Sequence, residues 1–267
     1  MSEAASIESS FFVVLAMLLG TGSGLKAKPV PEAGCSRGRT ASLRWDEMAT
    51  ECGSAHCTAL PLHMTASDLR AHALDQLNRY LEVHPQEREE LGALMAQLLE
   101  DPADVFARAN MRGHVTTSGI VYDARADKVL MIHHKVLDRW LQPGGHHEGI
   151  DRLDVSAARE VREETGVERF APCPAGAGGD LPFDVESHAI RANPAKGEGD
   201  HVHHDFIYLF AADSTQPVQP ELAEVKGVRW MPRAEFATLP SARFARMSEK
   251  LLALATARSP ADLAPSS

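Results

Sequence analysis

Cysteine is scarce in this chain of 267 residues. There are four, Cys35, Cys52, Cys57 and Cys173, and no close Cys-x-x-Cys pair. Cys52 and Cys57 bracket His56, which is not a usual zinc spacing, so a disulfide scaffold and a cysteine-built zinc module are both excluded as expectations. The thiols read as unpaired in a reducing compartment, and a cytoplasmic location is expected. Long apolar runs are also missing. The stretch FFVVLAMLLG, residues 11–20, is shorter than the roughly 20 residues a membrane helix needs. Glu3 and Glu8 precede it and no Ala-x-Ala site follows, which argues against a signal peptide. No stable membrane span is expected. Positive charge is in deficit, with 27 Lys and Arg against 37 Asp and Glu and a net charge of −10. That balance argues against coating a nucleic acid polymer. It leaves open a small phosphorylated substrate, because a bound metal ion reverses the local sign.

What remains is ordinary globular material, 44% hydrophobic and 24% charged, enough for one large domain or two small ones. Residues 1–63 have no sustained apolar period and are rich in Gly, Pro, Ser and Cys, so they are expected to be a disordered leader. Residues 64–111 read as a helical extension. Thr65 or Ser67 can cap a helix carrying Leu69, Ala73, Leu77 and Leu81, which His84-Pro85 ends. Leu91, Leu94, Met95, Leu98 and Leu99 mark a second helix, and Asp101-Pro102 opens a short third piece with Val105 and Phe106. These stripes suit packing against a main domain, or a homodimer contact.

From His114 the period changes to that of strands. HVTTSGIVYD and KVLMIHH are two strands about a turn at 123–127, followed by a loop over LDRWLQPGG. After a helix from about Asp154 to Thr165 and a Gly/Pro-rich loop at 172–179, FDVESHAI and HDFIYLFAA read as strands around a polar insertion at 193–204. A late strand over 225–231, helices over 232–239 and 242–257, and a frayed tail over 258–267 complete the chain. Strands on both sides of a central helix, with a helix near the end, make the 112–257 region an α/β sandwich.

The chain's chemistry concentrates in residues 145–167, GHHEGIDRLDVSAAREVREETGV. On a helix, Glu160, Glu163 and Glu164 share an arc of about 100°, beside a packing arc of Ala157, Ala158 and Val161. Three crowded carboxylates repel unless a cation sits among them, and hard divalent ions such as Mg²⁺ take such oxygen ligands. Gly166 suits the left-handed residue that ends a helix.

These residues resemble the signature of the Nudix family, G-x5-E-x7-R-E-U-x-E-E-x-G-U with U apolar. Gly145, Arg159, Glu160, Val161, Glu163, Glu164, Gly166 and Val167 match, and Asp151 departs by standing where the family usually has Glu. The resemblance implies a mixed sheet between helices, an α/β/α sandwich, and a metal-dependent hydrolase cleaving the diphosphate linkage of a nucleoside diphosphate derivative by attack of water on phosphorus. It implies Mg²⁺ or Mn²⁺ held by Glu160, Glu163, Glu164 and the Gly145 carbonyl. Glu160 is then the candidate base, and Arg159 orients or neutralises a neighbouring carboxylate. Glu224 is the candidate downstream carboxylate, with Glu221 second. His146 and His147, in the signature loop, are candidates for substrate phosphate, and Trp140 for the substrate or the loop. The runs QPGGH and HVHHD resemble a Nudix subgroup with histidines in these places.

Two other readings compete. A Nudix-fold isomerase of prenyl diphosphates needs a core cysteine, and the core region offers only Cys173, in a Pro/Gly loop. A nucleotide-sensing module without catalysis commonly lacks signature carboxylates. All three helix carboxylates are kept here, and only Asp151 favours that reading.

Overall fold

The computed structural model describes residues 64–149, 151–173, 181–223 and 225–256. The expected leader with three of the cysteines, the loop segment 174–180, Glu224 and the expected tail lie outside the described residues.

Helix α1 (Ala66–Val83) begins at Thr65, whose hydroxyl accepts from the Asp68 amide while the Asp68 carboxylate accepts from the Thr65 amide. This reciprocal box satisfies two amides that a helix start leaves unpaired. Leu69, Ala73, Leu77 and Leu81 are buried together with Tyr80, and the helix ends at His84. Helix α2 (Gly92–Glu100) packs on it through Leu94 and Leu98. The piece around Val105 and Phe106 is a run of turns and not a helix, although both side chains are buried. The Asp101 and Asp104 carboxylates accept from the Ala103 and Phe106 amides, and such local bonds compete with helical ones.

An eight-stranded mixed sheet follows. Its centre is β1 (His114–Asp123), paired in parallel with β7 (His201–Ala212) from His114↔His203 to Tyr122↔Ala211. Each of these two long strands shares its outer edge between two shorter antiparallel partners. On β1 these are β2 (Lys128–His134) and β4 (Gly144–His146). On β7 they are β5 (Phe170–Pro172) and β6 (Asp184–Ile190). β3 (Arg139–Leu141) and β8 (Val225–Pro232) flank β2.

Helices cover both faces. α1, α2 and α3 (Leu153–Thr165) bury one core against Val115, Val121, Phe206, Tyr208 and Phe210. α4 (Arg233–Phe236) and α5 (Ala242–Thr256) bury a second against Ile120, Met131, Ile207, Leu209 and Met231. Burial from both sides explains why every residue of β1 is buried.

Three expectations change. The stretch 137–145 is not all loop, because β3 and β4 lie in it. Gly144 and Gly145 hide a strand that forms only because the start of β1 offers an open edge. β7 starts at His201, so the polar insertion is shorter than 193–204. The helix expected over 232–239 is a single turn, α4. Among the described residues, no helix is long and apolar enough to cross a membrane.

Candidate active site

Helix α3 lies across β1 and β4. Val161 faces Gly119 of β1, and the Thr117 hydroxyl donates to Ser156 Oγ at 2.9 Å. The helix ends at Gly166, with φ 66°, where an L side chain is disfavoured. At its start the cap is Arg152, and no side chain makes a capping bond. Asp151 therefore stands one residue ahead of the cap and is not the capping residue. The Arg152 guanidinium instead pairs with Asp154 in the first turn.

Glu160 and Glu164 are buried beneath the Gly144–Gly145 backbone. The Gly144 amide donates to Glu164 Oε2 at 2.8 Å. A Cβ on Gly145 would lie 2.6 Å from Glu160 Oε2, so the glycine is what lets the strand and the carboxylate approach. Arg159 reaches Glu160 Oε1 with Nη2 and Glu163 Oε2 with Nη1, both at 2.8 Å. Glu148 is a more distant partner at 3.9 Å. One guanidinium thus offsets two of the crowded carboxylates. Glu163 is half-exposed on the outer side of the helix. Each of the three carboxylates thus has a partner of opposite or complementary polarity. Among the described residues, the only three ligating groups with atoms within 4.8 Å of one another are His114, His201 and His203.

Of the downstream candidates, Glu221 sits near the C-terminal end of α3. The Glu221 amide donates to the Glu164 carbonyl at 3.3 Å, and its carboxylate accepts from the Ala223 amide. Glu224 lies outside the described residues.

His146 and His147 do not share a place. Successive strand residues point to opposite faces. Gly145 faces α3, while the His146 ring packs on His114 and His203 on the other side, at 5.1 and 5.2 Å between centroids. His147 is buried edge-on to Phe106, and burial pushes its imidazole down to about 4. Trp140 lies on β3, stacked on His133 and under the Arg229 guanidinium.

The sheet face opposite α3 carries polar residues for which the spacing arguments gave no role. Asp205 is buried and accepts from Thr116 Oγ1, Ser118 Oγ and Gln142 Nε2. Burial, reinforced by Glu186, pushes its carboxyl up. Beside it Glu186 is paired with Arg243 and with His188. Next come His203, His201 and His114. Burial and the neighbouring imidazoles push His203 down to about 2, and burial also lowers His114. On the α3 side of β7, His204 meets Ser187 Oγ and Gln97 Oε1. The sequence signal for the histidine face was the His-x-His alternation at 201 and 203.

Residues 112–253, just over half of the chain, match the family model described as NUDIX domain. Among solved structures, a C. elegans Ap4A hydrolase binary complex is similar at 16% identity, covering 52% of this chain and 96% of that one, with a TM-score of 0.41. The E. coli dihydroneopterin triphosphate pyrophosphohydrolase is similar at 17% identity, covering 51% and 92%, with a TM-score of 0.41. A NUDIX-family hydrolase from Clostridium perfringens is similar at 22% identity, covering 54% and 99%, with a TM-score of 0.40. No curated protein matches the chain at a significant level.

Proposed function

This chain belongs to the Nudix family, and on that premise we propose that it is a hydrolase that splits the diphosphate linkage of a nucleoside diphosphate derivative. The observation that carries the reading is the grip of one arginine and one glycine pair on the helix carboxylates: Arg159 on Glu160 and Glu163, and Gly144–Gly145 on Glu160 and Glu164.

The donor set is all oxygen, which fits a hard divalent cation, Mg²⁺ or Mn²⁺. Glu160, Glu163, Glu164 and the Gly145 carbonyl are the proposed holders. Such an ion, when bound, offsets the charge of the diphosphate and makes water easier to deprotonate. The chain's own groups do the rest. Glu160, whose Oε1 lies 2.8 Å from Arg159 Nη2, is the proposed base that takes the proton of the attacking water. The water oxygen bonds to phosphorus, the bridging P–O bond breaks, and two phosphorylated products leave. Arg159 acts as a positioning residue, its guanidinium held against Glu160 and Glu163. Glu224 and Asp151 are proposed as auxiliary carboxylates, and Trp140 as a group near the substrate.

The test is product release from a panel of nucleoside diphosphate derivatives, with and without Mg²⁺. Metal-dependent cleavage of at least one derivative is expected. Tight binding of the panel with no turnover under any divalent ion would overturn the reading in favour of a nucleotide-sensing module.

A further inference from the structure

We propose a second metal site, built of His114, His201 and His203 on the sheet face opposite α3, that takes a divalent transition cation of the zinc class. It stands independently of the hydrolase reading.

The placement begins with strand geometry. Residues two apart on a strand share a face, so His201 and His203 of β7 project together. The parallel register sets His114 of β1 directly beside His203. All three lie where this strand pair begins, and their ligating nitrogens come within 4.8 Å of one another.

The nitrogens are arranged as a metal would need them. The His201 Nδ1 lies 2.8 Å from the Gly199 carbonyl, and the His114 Nδ1 lies 3.2 Å from the Asn110 carbonyl. A carbonyl only accepts, so in both rings Nδ1 carries the proton and a neutral ring presents a lone pair at Nε2. A histidine that ligates through one nitrogen commonly anchors the other in this way.

Two further observations point to an occupant. His114 is fully buried, and its Nε2 has no hydrogen-bond partner. An orphaned buried acceptor costs about 1–3 kcal/mol unless something satisfies it. His201 Nε2 and His203 Nε2 are 3.2 Å apart, in a ring-to-ring hydrogen bond that a cation would replace. A tetrahedral site with metal–nitrogen bonds of about 2.0–2.1 Å has ligand atoms about 3.3 Å apart.

The chemistry of the donors selects the class of ion. Three imidazoles suit Zn²⁺ and its neighbours, whereas Mg²⁺ and Mn²⁺ prefer oxygen. The two faces of the sheet would then sort two kinds of cation, hard ions on the carboxylates of α3 and borderline ions on the histidines. His146, whose ring packs on both His114 and His203, is the candidate fourth ligand.

The experiment uses the full chain stripped of metal by a chelator and titrated with Zn²⁺ alone in a calorimeter. One tight Zn²⁺ per chain is expected, and it should persist in the Glu163→Gln/Glu164→Gln double variant. His201→Asn and His203→Asn should each weaken it by at least ~100-fold, since loss of a mere supporting contact already costs about 10–100-fold. Cys52→Ser/Cys57→Ser should leave it intact. Binding that follows the α3 carboxylates or these cysteines instead would overturn the site. Co²⁺ loaded into the unmutated chain gives a reading independent of whether a variant folds. Intense visible bands of a tetrahedral nitrogen site are expected, and only the weak bands of an octahedral oxygen site would refute it.

Discussion

The Cβ that Gly145 lacks would stand 2.6 Å from Oε2 of Glu160. The nearest obstacles are all atoms of that one carboxylate, the far end of a side chain. A methyl group here therefore moves the carboxylate and leaves the backbone in place. Gly145→Ala is expected to fold with an unchanged melting point and to lose activity by about 100-fold, the cost of a misplacement of about 1 Å at a reacting centre. Circular dichroism melting beside steady-state turnover checks this. Normal turnover would show that the contact has no bearing on catalysis.

Glu163→Gln and Glu164→Gln should each lower hydrolysis by about 100-fold or more, as removal of one electrostatic stabiliser commonly does. Folding should survive both. A glutamine at 164 can still accept the Gly144 amide through its carbonyl oxygen, and at 163 one like charge is removed from a crowded helix. The measurement is turnover against Mg²⁺ concentration, with thermal melts alongside. Retained turnover in both variants counts against the site.

Asp127 and Arg233 tie the turn after β1 to the end of β8. The Arg233 Nε and Nη2 atoms donate to the two carboxylate oxygens at 2.7 and 3.1 Å, and Tyr122 donates to one of them. Burial opposes ionisation, but Arg233 and Tyr122 outweigh it and hold the carboxyl below its ordinary value. Asp127 has φ 51°, a left-handed conformation that asparagine also accepts. Asp127→Asn thus removes the charge without straining the turn. The carboxylate is half-exposed, so the expected loss is about 1 kcal/mol. A depressed folded pKa gives stability that is fully present above the unfolded value of about 3.9 and lost as pH falls through the folded one. The gap in stability between the native chain and Asp127→Asn should be constant near neutral pH and close below about pH 4. Denaturant midpoints across that range test it, and a gap that persists in acid would contradict the assignment.

Gly119 permits the close approach of α3 to β1. A Cβ there would meet Val161 Cγ2 at 2.4 Å and the Phe210 ring at 3.1 Å. Overpacking of this kind typically costs about 1–3 kcal/mol, so Gly119→Ala should lower stability by that amount. Adding Val161→Ala should recover part of the loss, which is a coupling a double-mutant cycle can read. Strictly additive losses would show that the two residues do not contend for the same space.

The features the sequence determined by itself are those set by neighbours along the chain. Thr65 and Asp68 are three residues apart and close the cap of α1 without help from elsewhere. The signature spacing alone specifies α3, its end at Gly166 and the reach of Arg159 to Glu163 one turn away, because helical contacts repeat every three to four residues. The tertiary structure decided what depends on partners far away in the chain. His201 and His203 share a face only because β7 extends back to His201, into a stretch that reads in sequence as a polar insertion. That Gly144–His146 is a strand depends on the free edge of β1, about 30 residues earlier in the chain, and no local propensity favours it. The separation of His146 from His147 follows where that strand ends, His146 packing on His114 and His203 and His147 on Phe106. The union of His114 with His203 rests on a parallel register between strands almost 90 residues apart, which long-range packing selects and no periodicity announces.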